Sequence, residues 1–177
     1  MKYKNWLLLG LMTLGLSGCV GVAPDGKGYT INVPMNMINS TIGQNFPQSQ
    51  QTNYGTLMIE KPNVLGRAGS DKLGVWTSFT FSNMLMPQGI KGAVSLSSGV
   101  RYNSNDRGLY LANPMIDELK FQNFSLSQYL TPQIKNLIGD AIAQQLRAKP
   151  IYRMNTGASF VRNVGVQDGN VVVTVGL

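Results

Sequence analysis

The sequence has no histidine, a single cysteine and little charge: charged side chains make up only 13% of its 177 residues. Without histidine there is no Ser-His-Asp or Cys-His nucleophile pair and no imidazole ligand for a metal. One cysteine excludes an intrachain disulfide, a C-x-x-C redox pair and a thiolate zinc cage. The expectation is a protein that is not an enzyme and carries no cofactor and no metal. Asn, Gln and Ser take the place of charge, and a hydrophobic share of 43% is enough to build a core. The length suits one domain.

The first nineteen residues read as an address. Lys2 and Lys4 open the chain, an apolar run extends from Trp6 to Leu16, and Leu16-Ser17-Gly18-Cys19 follows. A basic start, a short apolar stretch and small residues at a cut site make an export signal, and the run is too short to span a bilayer as a helix. Its ending resembles the lipobox of bacterial lipoproteins. That resemblance implies cleavage after residue 18 and thioether lipidation of Cys19, with Val20 in the next position directing the product to the outer membrane, facing the periplasm. Several acyl chains hold a domain stably on a membrane without spanning it. Cleavage would lower the net charge from +7 to +5, a mildly basic surface with no nucleic acid to meet in the periplasm. Residues 19–28, with Pro24, Gly21, Gly26 and Gly28, read as a flexible tether. Gly21 to Lys27 also matches most of a phosphate-binding loop, but Gly28 stands where Ser or Thr should bind magnesium.

From residue 29 to 177 one domain is expected. Tyr29–Val33 alternates as a strand, and Pro34 is placed to open a helix carrying Met35, Ile38, Ile42 and Phe46 on one face. Gln48–Asn53 reads as a polar loop. From there to about Phe124 the period is two: Leu57 and Ile59, then Leu73 to Phe81, then Ile90 to Tyr102, then Leu109 and Leu111, then Leu119 and Phe121. Turn formers at 103–108 separate two of these runs, so an antiparallel meander with one apolar face is predicted. Residues 126–147 follow a 3.6 period for about 20 residues, with Pro132 as a kink or as the true first turn after Thr131. Pro150 closes that helix. Short strands follow, with Asp168-Gly169 at a hairpin turn.

An apolar-faced sheet and an apolar-faced helix must bury each other. The predicted fold class is α+β: a strongly curved antiparallel sheet wrapped around a long C-terminal helix, with a short N-terminal helix. Three stretches, Tyr29 to Ile38, Gly108 to Asp117, and Tyr129 to Ile138 running into Ala148–Arg153, resemble the YceB-like family of bacterial lipoproteins, of unknown function. That family is placed near the tubular lipid-binding (TULIP) superfamily. The resemblance implies a sheet bent around a helix, with acyl chains held between them.

The candidate apolar lining of such a site comes from three places. The first helix gives Met35 and Ile38. The strands give Leu57, Ile59, Phe79, Phe81, Val94, Leu96, Leu109 and Leu111. The second helix gives Leu137, Ile138, Ala141 and Ile142. A packed core needs the same faces, so two functions stay open: an anchored protein that binds a lipid or other apolar ligand, and an assembly lipoprotein with a solid core that binds another envelope protein. In the second case exposed sheet edges near Ile151–Met154 or Val171–Val175 offer strand pairing. Met84-Leu-Met86-Pro87 is an apolar cluster read as a strand end under a loop, or else as a membrane contact. Asp117 and Glu118 are expected on opposite faces of a strand, which rules out joint acid–base work. Asn39-Ser-Thr41 and Asn123-Phe-Ser125 match a glycosylation pattern that is incidental in a bacterial lipoprotein.

Overall fold

The computed structural model describes residues 20–23, 26–122, 130–155 and 160–176. In chain order its elements are β1 (Val20–Val22), β2 (Tyr29–Val33), α1 (Met35–Gln44), β3 (Gln48–Thr52), β4 (Gly55–Ile59), β5 (Asn63–Gly66), β6 (Leu73–Asn83), β7 (Met86–Asn103) and β8 (Gly108–Phe121). After these come α2 (Pro132–Ala148), β9 (Pro150–Arg153), β10 (Val161–Gln167) and β11 (Asn170–Val175). The strands form two antiparallel sheets. The larger runs β3-β4-β6-β7-β8-β9, with β5 also bonded to β6, and the smaller runs β1-β2-β11-β10.

The predicted α+β class, a strongly curved sheet around a long helix, is therefore corrected. The described residues are mostly β, with a curled half-barrel sheet, a second sheet and two short helices. The C-terminal helix has 17 residues and starts at Pro132, with Thr131 as its cap: the Thr131 side chain accepts a hydrogen bond from the Ile134 N–H. Proline lacks an N–H and fits the first helical position; residues 126–129 of the predicted helix lie outside the described residues. The second sheet escaped the sequence reading because β2 and β11, which pair from Val33–Val171 to Tyr29–Val175, lie at opposite ends of the chain. Local periodicity carries no information about such a pairing.

Three further expectations change. Gln48–Thr52, read as a loop, is an edge strand paired with β4; alternate residues of an edge strand face solvent, and a polar sequence tolerates that. The stretch read as a flexible tether is bonded into the small sheet, Val22 lying opposite Tyr29 and the Ala23 N–H donating to the Gly28 carbonyl at 2.9 Å. Val171–Val175 is not an edge either, since β11 lies between β2 and β10.

The curl of the large sheet has local causes. Register shifts interrupt the ladders at Phe81/Asn83, Ser95/Leu96, Ser97/Gly99 and Leu109/Tyr110, and each bulge adds bend and twist. Gly92 lets the sheet close on itself: a Cβ there would sit 2.3 Å from Phe79 Cζ and 2.5 Å from the Lys120 carbonyl oxygen. The Phe79 ring instead lies over the bare backbone and meets Phe121 edge to face at 5.6 Å. One core cluster joins the inner rows of both sheets to Ile38 and Ile42 of α1 and to Ile138, Ala141, Ile142 and Leu146 of α2. The apolar side of α2 is thus shared with the sheets, as its period required.

α1 is pinned by Asn39. Its side-chain amide donates to the Val64 carbonyl at 2.9 Å and its oxygen accepts from the Val64 N–H at 2.7 Å. The amide acts as a short piece of strand along β5, so this asparagine serves the fold.

Candidate functional site

Of the fourteen residues named as an apolar lining, twelve are buried and belong to the common core; Met35 and Leu137 are half-buried. Ile38, Leu57, Ile59, Phe81, Leu109, Leu111, Ile138 and Ile142 expose none of their surface, and Phe79, Val94 and Leu96 expose 1%. Surface bordering a void with room for a water molecule counts as exposed, so none of these side chains lines one of appreciable size. The structure brings the predicted lining together as a filled interior. At the N-terminal end of α2 the packing loosens. Ile134 and Phe121 are only partly buried there, and the Lys135 ammonium stands 5.9 Å from the centre of the Phe121 ring.

Cys19 and the export segment before it lie outside the described residues. The phosphate-loop match has the wrong surroundings. Gly26–Gly28 leads into β2, a strand, so no helix N-terminus stands there to hold a phosphate. Among the described residues no three His, Cys, Asp or Glu side chains are grouped to hold a metal ion. Among the same residues no helix is long and apolar enough to cross a membrane.

Asp117 and Glu118 depart from strict alternation. The bulge between Ser95 and Leu96 lets both turn to the outer side of the sheet. Asp117 accepts from the Ser97 hydroxyl at 3.0 Å, and Glu118 pairs with Lys120 at 2.8 Å. Both are exposed, and an ion pair in water contributes little.

Asp106, in the β7–β8 turn, is a perturbed titratable group. The Tyr110 hydroxyl donates to its carboxylate and is the main reason its pKa lies below the ordinary value. Burial opposes this, while the Gly108 N–H and the Arg153 charge act in the same direction as Tyr110. The same hydrogen bond raises the Tyr110 pKa. Arg153 Nη1 lies 3.4 Å from Asp106 Oδ2, and Arg101 stacks 4.8 Å from the centre of the Tyr110 ring. The cluster clamps β9 to the β7–β8 hairpin.

Exposed apolar side chains outside the core mark three open grooves. One lies at the tips of two hairpins, where Tyr54 of the β3–β4 turn joins Met84 and Leu85 of the β6–β7 turn and Pro87, around about 520 Å³. The cluster read as tucked under a loop is in fact at the surface: Met84 is 99% and Leu85 89% exposed, with Met86 half-buried. The second, about 570 Å³, runs along the outer face between Leu65, Trp76, Ser95 and Ser97. The third, about 650 Å³, lies at one end of the small sheet between Val22, Tyr29, Phe160 and Val175. Sequence reasoning missed the second and third. Alternation along Leu73–Phe81 puts Trp76 on the face opposite Val75 and Thr77, but nothing local shows that Leu65 comes beside it.

Residues 30–171 match a family described as "Protein of unknown function (DUF1439)". The match covers most of the chain, which therefore belongs to this uncharacterised family. No curated protein matches the sequence.

Proposed function

We propose that this protein is a lipid-anchored lipoprotein of the bacterial outer membrane that faces the periplasm and acts as a non-catalytic docking module for another envelope protein. The filled interior carries this reading. With Leu57, Ile59, Phe81, Leu111, Ile138 and Ile142 fully enclosed, binding falls to the surface. The best surface for a protein partner is the double hairpin tip. Residues 51–56 and 82–88 contain no charged side chain, so Tyr54, Met84 and Leu85 would be covered without stripping water from an ion. The signal ending at Cys19 supplies the anchor. The kinship with YceB-like lipoproteins, and through them with TULIP proteins, belongs to the same proposal and rests on the sequence stretches described above.

The test is a photo-crosslinking residue at Leu85 in intact cells. One abundant protein adduct, lost when Tyr54 and Met84 are replaced by serine, is the expected result. Absence of any adduct overturns the docking role.

A second reading has one observation in its favour. The partly buried pair Phe121 and Ile134, beside Lys135 at the start of α2, is where an acyl chain would enter if α2 swung away from the sheet. Native mass spectrometry of protein extracted from membranes distinguishes the two. A lipid bound one to one favours this entry, and a bare polypeptide favours the filled core.

A further inference from the structure

Among the described residues, the two sheets leave five strands with an unpaired side: β1 and β10 in the small sheet, and β3, β5 and β9 in the large one. An open edge presents free N–H and C=O groups to any other chain, so folds shorten, charge, bend or cover their edges. Four of these edges carry such a device. β1 has three residues. β10 bears Arg162 and a register shift between Val161 and Asn163. β5 is closed by Asn39, which bonds both backbone groups of Val64. β9 opens with Pro150, ends with Arg153 and meets β8 across a register shift.

β3 has none of them. It is five residues long and pairs with β4 in unbroken register from Gln48–Ile59 to Thr52–Gly55. Its sequence, Gln-Ser-Gln-Gln-Thr, holds no proline and no charge. Among the described residues no hydrogen bond reaches its backbone from the side away from β4. A further strand therefore fits here and at none of the other edges.

Two observations define that strand. The first is charge. Residues 48–59 and 82–88 contain no charged side chain, so an ionic segment would lose water here without gaining a counterion. The second is continuity. The groove of about 520 Å³ at the hairpin tips is walled by Gln51 and Thr52 of β3 as well as by Tyr54, Met84 and Leu85. Since β4 lies between β3 and β6, the groove crosses the sheet from the β3 edge to the β6–β7 turn. A chain paired along β3 passes Thr52 and meets that groove with its next residues. A second copy of this protein fits less well. Paired antiparallel, it would send Pro47 and Phe46 toward the groove, and Phe46 is buried in its own core.

We infer that β3 is a strand-addition edge: it takes an extended, uncharged segment of a partner protein as a further strand of the large sheet, and an apolar residue of that segment lodges in the groove between Tyr54 and Leu85. Main-chain bonds along the edge hold the segment, and the groove selects it. The inference deepens the docking reading and rests on it, adding the shape and chemistry of what docks.

The test places a photo-crosslinking residue at Gln51, and in a parallel strain at Leu85, of the full chain in intact cells, and sequences the cross-linked peptides. Ser49 is exposed on β3, so Ser49→Lys supplies the missing edge charge and Ser49→Thr serves as the uncharged control. The expected result is one partner at both positions, joined to Gln51 through an uncharged stretch about as long as β3. Ser49→Lys should lower the Gln51 adduct about tenfold or more, and Ser49→Thr should keep it within about twofold. The joined stretch, made as a peptide and added to the purified unmodified chain, should slow amide exchange in residues 48–52 several-fold. An adduct at Leu85 with none at Gln51, or an adduct indifferent to Ser49→Lys, overturns the strand addition and leaves tip docking standing. A peptide that leaves exchange in residues 48–52 unchanged overturns it too, as does a Gln51 adduct to a second copy of this protein. No adduct at either position overturns the docking reading and the strand addition together.

Discussion

The Gly169 N–H donates to the Ser70 carbonyl at 2.9 Å, and this bond locks the small sheet onto the large one. Gly169 sits in the β10–β11 turn with φ of +73°, after Asp168 at +49°, the pair of positive angles that a tight hairpin turn demands. Its α-carbon packs against the backbone of the β5–β6 loop, where a Cβ would lie 2.5 Å from the Arg67 nitrogen. Gly169→Ala should therefore cost at least about 2 kcal/mol, from the left-handed backbone and the displaced loop together. Urea unfolding measures it, and a change under about 0.5 kcal/mol would show that the two sheets do not need this contact.

Asn39→Ala should lower stability by about 1–3 kcal/mol, because it leaves both backbone groups of Val64 without their partner. Val64 is fully buried, so water does not replace the amide cheaply. Hydrogen exchange at the Val64 amide provides the site-specific check, with faster exchange than the wild type expected.

Ile142→Ala reports on the filled interior. A side chain enclosed on all sides leaves a cavity when truncated, and about 2–5 kcal/mol is the expected loss. A cost under about 1 kcal/mol would mean that Ile142 borders empty space, and the docking reading would give way to a ligand between sheet and helix.

The Asp106–Tyr110 pair predicts how stability depends on pH. The folded pKa of Asp106 is lowered, so its contribution is complete above the ordinary carboxylate value of about 3.9 and fades as pH falls through the lower folded value. The folded pKa of Tyr110 is raised, so its contribution is complete below about 10 and fades as pH rises through the higher folded value. In Asp106→Asn both dependences should flatten, which urea midpoints across the acid and alkaline ranges will reveal.

Met84→Ser with Leu85→Ser should leave the unfolding free energy within about 0.5 kcal/mol of the parent, since both side chains stand in solvent. A large destabilisation would assign them to the fold and remove the hairpin tip as a partner surface.

Period-two and period-3.6 spacing exposed β6, β7, β8 and the apolar face of α2, because each of these elements turns one side to a single core. The same spacing said nothing of β3, whose glutamines are satisfied at an edge, nor of β5, which α1 holds through Asn39. It also misplaced Glu118 relative to Asp117, since a bulge is a property of two strands in register and not of either one. Twelve of the fourteen residues named as an apolar lining are buried in one core; whether apolar faces enclose a void depends on how side chains from several segments fill one volume.

The sequence by itself determined which residues face inward, because that depends on neighbours within a few positions. Only the tertiary structure decided that the two ends of the chain meet in a second sheet, that the interior is full, and that Val22, Tyr29 and Phe160 project beyond it. Those outcomes turn on contacts between residues more than a hundred positions apart, where burial in three dimensions, and not local spacing, sets the energy.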